Sequence, residues 1–156
     1  MASLQKIALF IFFDSIESDL VHNIRKFLPA EHYQLLTPQE ALKATHNLSQ
    51  GKNSFNFDDP LELLTGLDLG EKYNALMRLK EEMDIGTREH FLNMKKHFDK
   101  CISVRNTVMH GRPLTIDEYA LGFALTSELI KYPTYWPKLN QVHRQYTEDP
   151  SSIAGA

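Results

Sequence analysis

The sequence predicts an all-α fold: a single helical bundle of about five to six helices with a long antiparallel central pair. Three observations predict it. Apolar residues recur in steps of three and four over long stretches, the spacing of an amphipathic helix. Residues that start and stop helices bracket those stretches. No stretch shows the strict alternation of a half-buried strand. The 156 residues, 42% hydrophobic and 24% charged, fit one ordinary domain able to bury a core unaided. That domain is expected over residues 1–144. The segment 145–156, polar and then small, reads as a flexible tail.

The first helix is expected over Leu4 to Leu28, where Ile7, Phe10, Phe13, Ile16, Leu20, Ile24 and Phe27 keep helical spacing. Pro29 ends it. In "LTPQEALKATHNLSQG", Thr37 reads as an N-cap, Pro38 suits the first turn and Gly51 is a stop. "KNSFNFDDP" is turn-rich and reads as a loop. A helical pattern resumes from Pro60 to Met83, with breaks near Gly66 and Gly70. "DIGT" separates it from a long helix over about Thr87 to Met109. On that helix Phe91, Met94, Phe98, Cys101, Arg105 and Val108 fall on one face. After "HGRP", Thr115 and Glu118 form a capping box that opens another helix, and "PTYWP" closes it. The first helix and the Thr87 helix, the longest and most apolar, should be the central pair.

Bulk properties narrow the function. The net charge of -3 argues against a broad electrostatic grip on nucleic acid, though not against a local phosphate site. A single cysteine, Cys101, excludes an internal disulfide, and its apolar setting favours a buried thiol over a nucleophile. The run "IALFIFF" is too short to span a bilayer and lacks signal-peptide flanks, so it reads as the buried start of a helix. A cytoplasmic protein without membrane contact is expected. No glycine-rich phosphate loop is present, so nucleotide hydrolysis is not expected.

The stretch "SVRNTVMHGRP", Ser103 to Pro113, carries the chemistry. Arg105 occupies a position that Phe, Met and Cys hold in the preceding turns. A guanidinium there is costly unless it is paired or meets solvent in a cleft. Asn106 and His110 are four apart and can share a helix face. Gly111 and Pro113 break the helix, which leaves His110 in its last turn. The helix dipole favours positive charge there, and histidine is the residue suited to proton exchange near neutral pH. The plainer reading is structural: Arg105 in an ion pair with Glu17, Asp68 or Glu71, and His110 as a capping residue.

"RNTVMHGRP" resembles the signature of the HEPN superfamily: an arginine, a polar residue, three further residues and a histidine, here Arg105, Asn106 and His110. "LDLGEKYNALMRL", Leu67 to Leu79, is similar to the helix preceding the signature helix in many members. "FDSIESDLVHNI", Phe13 to Ile24, is similar to their first helix, with an acidic residue at Glu17. The resemblance covers about Phe10 to Tyr132. It implies a helical bundle that dimerises through the motif-bearing helices. It also implies a metal-independent endoribonuclease that needs no cofactor. In that reading His110 is the general acid or base, Arg105 stabilises charge on the phosphorane, and Asn106 orients the histidine or holds a phosphate oxygen. The products would carry 2′,3′-cyclic phosphate and 5′-OH ends. Arg112 is a further candidate for phosphate contact, or a solvated surface arginine. Glu17 joins the site in some members. Members regulated by a partner nucleotidyltransferase carry a tyrosine two residues after the histidine. Arg112 stands there, so that switch is not expected here.

The resemblance places the protein among toxin–antitoxin, antiviral-defence or RNA-processing effectors, with RNA as substrate. A regulatory partner is compatible, and the tail "EDPSSIAGA" hints at a fused sensor or ATPase module. The other function class is a HEPN-fold dimerisation or RNA- or nucleotide-binding module without turnover. A helical regulatory domain unrelated to HEPN is the third reading. His22, His32, His46, His90, His97 and His143 are scattered. No metal set is expected, and a solvated face is the reading for His90 and His97. "YPTYWP" reads as an aromatic plug rather than a base-stacking platform.

Overall fold

The computed structural model describes residues 3–30, 34–50 and 59–154. Among them the chain forms eight α-helices and no strand: α1 (Leu4–Phe27), α2 (Pro38–Ser49), α3 (Pro60–Leu63), α4 (Leu69–Met77), α5 (Ile85–Met109), α6 (Ile116–Leu129), α7 (Pro137–Glu148) and α8 (Pro150–Ala154). Short 3-10 turns occupy Leu64–Gly66 and Lys80–Glu82. The fold is all-α, as the spacing predicts, and α1 and α5 are its longest helices at 24 and 25 residues. Gly51, His32 and most of the "KNSFNFDDP" segment lie outside the described residues. The chain divides into two compact units, one of residues 1–19 and 93–156, the other of residues 20–92.

In the first unit, the N-terminal part of α1 runs antiparallel to the C-terminal part of α5. Lys6 Nζ reaches the Arg112 carbonyl at 2.6 Å, while Glu17 pairs with Arg105. Leu9, Phe12, Phe13 and Ile16 of α1 are buried with Phe98, Cys101, Val104 and Val108 of α5. Phe10, expected on the buried stripe, is 47% exposed. The run "IALFIFF" has no polar residue to mark its outer face, so periodicity alone could not choose between neighbours. α6 returns along α5, with Cys101 Sγ near the Leu121 carbonyl and Thr107 Oγ1 donating to Glu118. α6 also lies close on α1 at Gly122, where an added methyl would come within 3.0 Å of Leu9.

α7 is held by a residue far away in sequence. Pro137 has no N–H to offer, and Trp136 gives no side-chain cap. The next two donors, the backbone N–H groups of Lys138 and Leu139, are taken by the buried Asp19 carboxylate of α1 at 3.1 and 3.0 Å. Trp136 is fully buried against Phe98, so the tryptophan of "YPTYWP" is a plug, while Tyr132 is 40% exposed. Phe12 is surrounded by Phe123, Tyr146 and His143 at 5.5–5.8 Å between ring centres. Tyr146 belongs to α7, so helix continues past Gln145 to Glu148 and resumes over Pro150–Ala154, where the sequence reading placed a loose tail. The physical reason is that aromatic contact, which draws in a stretch whose composition alone looks polar.

The second unit is built on caps. Thr37 and Glu40 form the expected box at the start of α2. Glu40 also receives both Nη groups of Arg78, at 2.6 and 3.0 Å. Burial works against the Glu40 charge, but the bonds from Arg78 and the Thr37 backbone outweigh it and hold the carboxyl below its usual range. Gly66 marks a break, as expected: a Cβ there would lie 2.7 Å from the Ala44 carbonyl oxygen of α2. Gly70 does not break the chain. It sits inside α4, which an Asp68–Glu71 capping box starts one residue earlier. Asp84 accepts from the Thr87 backbone and side chain, which begins α5 at Ile85 rather than Thr87.

His90 corrects the sequence reading. It is 7% exposed and its ring lies against Phe91. The charged pair Arg88 and Glu89 just before it hides this burial in the sequence. Burial pushes the His90 imidazole down to about 4.

Two outcomes follow for stability. Asp19→Ala should cost about 2 kcal/mol, because two helix N-terminal N–H donors, that of Leu139 buried, lose a charged acceptor; urea denaturation measures it. Protonation of His90 is harder in the folded than in the unfolded chain. Stability should therefore fall as pH drops from about 6.5 toward about 4, by on the order of 3 kcal/mol. His90→Phe should flatten that slope in acid denaturation curves.

Candidate functional site

The end of α5 is set by backbone hydrogen bonds. Gly111 N–H donates to the Val108 carbonyl at 3.3 Å and Arg112 N–H to the Thr107 carbonyl at 3.0 Å. This is the Schellman pattern, with His110 as C-cap and Gly111 in the left-handed region at φ 69°. A side chain at Gly111 would be strained there. Pro113 follows, beyond the last residue that the motif requires. The sequence "HGRP" is thus a complete helix stop, and it leaves His110 exposed at the helix end. The His110 backbone N–H closes onto the Asn106 carbonyl at 3.0 Å. Its imidazole makes no hydrogen bond with the other described residues.

Arg105 has a definite partner. Its Nε donates to Glu17 Oε2 at 3.0 Å and its Nη2 to Glu17 Oε1 at 3.3 Å. Of the three acids the sequence offered, Glu17 is the one used. Asp68 and Glu71 are engaged in capping α4, and Lys43 lies between them at 3.6 and 2.9 Å. The Glu17 side chain is 6% exposed and that of Arg105 16%, so this is a nearly buried pair in two-pronged geometry. The third nitrogen, Nη1, reaches Asn106 Oδ1 at 3.4 Å.

The motif therefore forms a chain of neighbours rather than one cluster. Glu17 holds Arg105, Arg105 touches Asn106, and Asn106 stands one turn before His110. Arg105 and His110 are five residues apart, about 140° around a helix axis, so one copy of the chain does not turn them to the same face. Arg112 points no side-chain bond at the motif. It is exposed, and its backbone carbonyl accepts from Lys6 Nζ. Lys6 is the residue that sequence reasoning missed. It brings a cation to the end of α5, and a lone lysine before an apolar run carries no signal of that.

Cys101 is buried, and burial pushes its thiol up to about 11, which fits an inert core residue. Among the described residues no three His, Cys, Asp or Glu side chains gather closely enough to hold a metal ion. No described helix is long and apolar enough to cross a membrane.

Glu17→Gln should destabilise the protein by about 3 kcal/mol, since the guanidinium then lies nearly buried without a counter-charge. The double variant Glu17→Leu/Arg105→Met should recover most of that loss. Urea midpoints of the native protein, both single variants and the double variant check it.

Comparison with protein-family models, curated proteins and solved structures finds no match to this chain, so the reading of the site rests on its own residues and geometry.

Proposed function

We propose that the protein is a metal-independent endoribonuclease of the HEPN type, acting as a homodimer in a toxin, antiviral-defence or RNA-processing role. The observation that carries this is His110: an exposed histidine at the fixed end of α5, one turn beyond Asn106, which in turn touches the paired Arg105. The 2′-OH of a ribose attacks the neighbouring phosphate, and the bond from phosphorus to the 5′ oxygen breaks. His110 removes the hydroxyl proton or protonates the departing oxygen. Arg105 and Asn106 meet the phosphate oxygens. Two copies related by a two-fold axis would bring two such motifs to one cleft and supply both an acid and a base. That arrangement would offset the separation of Arg105 and His110 within one chain.

Charge distribution agrees with an RNA substrate. The unit that holds the motif has nine basic and nine acidic residues, so the acidic excess lies in the other unit. Of those nine acids, Glu17 and Asp19 are buried and committed to internal partners.

A second reading draws on the Glu17–Arg105 pair. A guanidinium with Nε and Nη2 already occupied suits a fold retained for dimerisation or RNA binding without turnover.

Cleavage of a mixed RNA pool in EDTA separates the two. The native protein should cut and leave cyclic-phosphate ends. His110→Ala, altered at an exposed site, should stay folded and lose at least about a hundredfold in kcat. Arg105→Lys, which keeps charge but not the two-pronged fork, should also lose activity. Native protein that binds RNA but leaves it intact would establish the second reading.

A further inference from the structure

Next to the motif lies a groove of about 260 Å³, lined by Ser3, Gln5, Leu114, Thr115, Ile116 and Tyr119. We infer that this groove is a nucleobase subsite that holds one base of a bound RNA beside the phosphate gripped at the end of α5. The inference rests on the ribonuclease reading and adds to it where the substrate lies.

The groove is smaller than the roughly 300–1,000 Å³ that drug-sized ligands occupy, which suits one ring system. Its walls suit a base. Tyr119 supplies an aromatic surface, its ring braced by Phe123 at 5.2 Å, and aromatic side chains stack on any base. Leu114 and the 87% exposed Ile116 supply apolar walls. Gln5 supplies an amide that both donates and accepts hydrogen bonds, the functional group that reads a base edge. Small polar groups of Ser3 and Thr115 complete the lining.

Charge at one end selects a nucleotide over an uncharged aromatic ligand. Leu114 is two residues beyond Arg112, within about 7 Å of chain, and Gln5 adjoins Lys6. The Lys6 ammonium is fixed on the Arg112 carbonyl at 2.6 Å. Lys6 and Arg112 thus bring two basic residues close in the chain to the groove lining. At the acidic start of α6, Glu118 is turned to internal donors: it accepts from Thr115 N–H at 3.1 Å and from Thr107 Oγ1 at 2.8 Å. Asp117 remains exposed beside it.

The test uses the native full chain and 5′-labelled 2′-O-methyl hexanucleotides, which lack the attacking hydroxyl and cannot be cut. Binding is read by fluorescence anisotropy. Leu114→Trp fills the groove. Gln5→Ala removes the edge-reading amide from an exposed position and leaves the fold intact. Weakening of at least about tenfold for Leu114→Trp, the loss of one base–aromatic stack, with a smaller loss for Gln5→Ala, is the expected result. Native affinity in Gln5→Ala and in folded Leu114→Trp would overturn the subsite and leave the ribonuclease reading standing. If the native protein binds no oligonucleotide and cuts no RNA, both ideas fall together.

Discussion

A helix that is buried along most of its length must find partners for every polar atom it carries inside. α1 is such a helix. Ser15, Glu17, Asp19 and Asn23 are buried on it beside Phe12, Phe13 and Ile16. Unsatisfied carboxylates in such a place would cost more than their side chains contribute by packing. The fold answers with two neighbours on one helix and two separate tasks. Glu17 neutralises Arg105 of α5, and Asp19 closes the open N-terminus of α7. The Ser15 hydroxyl donates a hydrogen bond to the Ile11 carbonyl of its own helix. The positions of α5 and α7 in the first unit both depend on these two carboxylates.

The same pair bears on chemistry. A guanidinium held along one edge by both oxygens of a carboxylate is well oriented and only partly available. In the proposed reaction it would meet a phosphate through Nη1, the arm that now rests on Asn106, or by exchanging Glu17 for the phosphate. In either case Glu17 sets the direction of the arginine. The acidic residue of the first helix and the arginine of the motif are therefore one structural unit, even though 87 residues separate them.

Much of this was legible in the sequence where signals are local. Thr37, Thr115 and their glutamates announce helix starts through contacts within one turn, and "HGRP" announces a stop in the same way. The apolar spacing of α5 gave Phe98, Cys101 and Val108 as core. Signals that depend on distant partners were not legible. The spacing does not reveal which of three acids meets Arg105, that Asp19 caps a helix 119 residues later, or that Lys6 reaches the end of α5. His90 was hidden by the charged pair that precedes it, and Phe10 by an unbroken apolar run. The stretch from Pro60 to Met83 reads as one helical segment with interruptions. It is in fact four short pieces, because Gly66 lets backbone approach backbone and Asp68 starts a new helix.

The cap that Asp19 places on α7 has a consequence for how the chain folds. Helices as short as the 12 residues of α7 are marginal alone in water. Its first turn is completed only when α1 is in place, and that requires closing a loop of more than a hundred residues. The entropy of such a closure grows slowly with length but is lost before the contact forms. Contacts this far apart raise contact order and slow folding. α7 is therefore a late-forming element. During synthesis it leaves the ribosome well after α1, so it docks onto a helix made long before it.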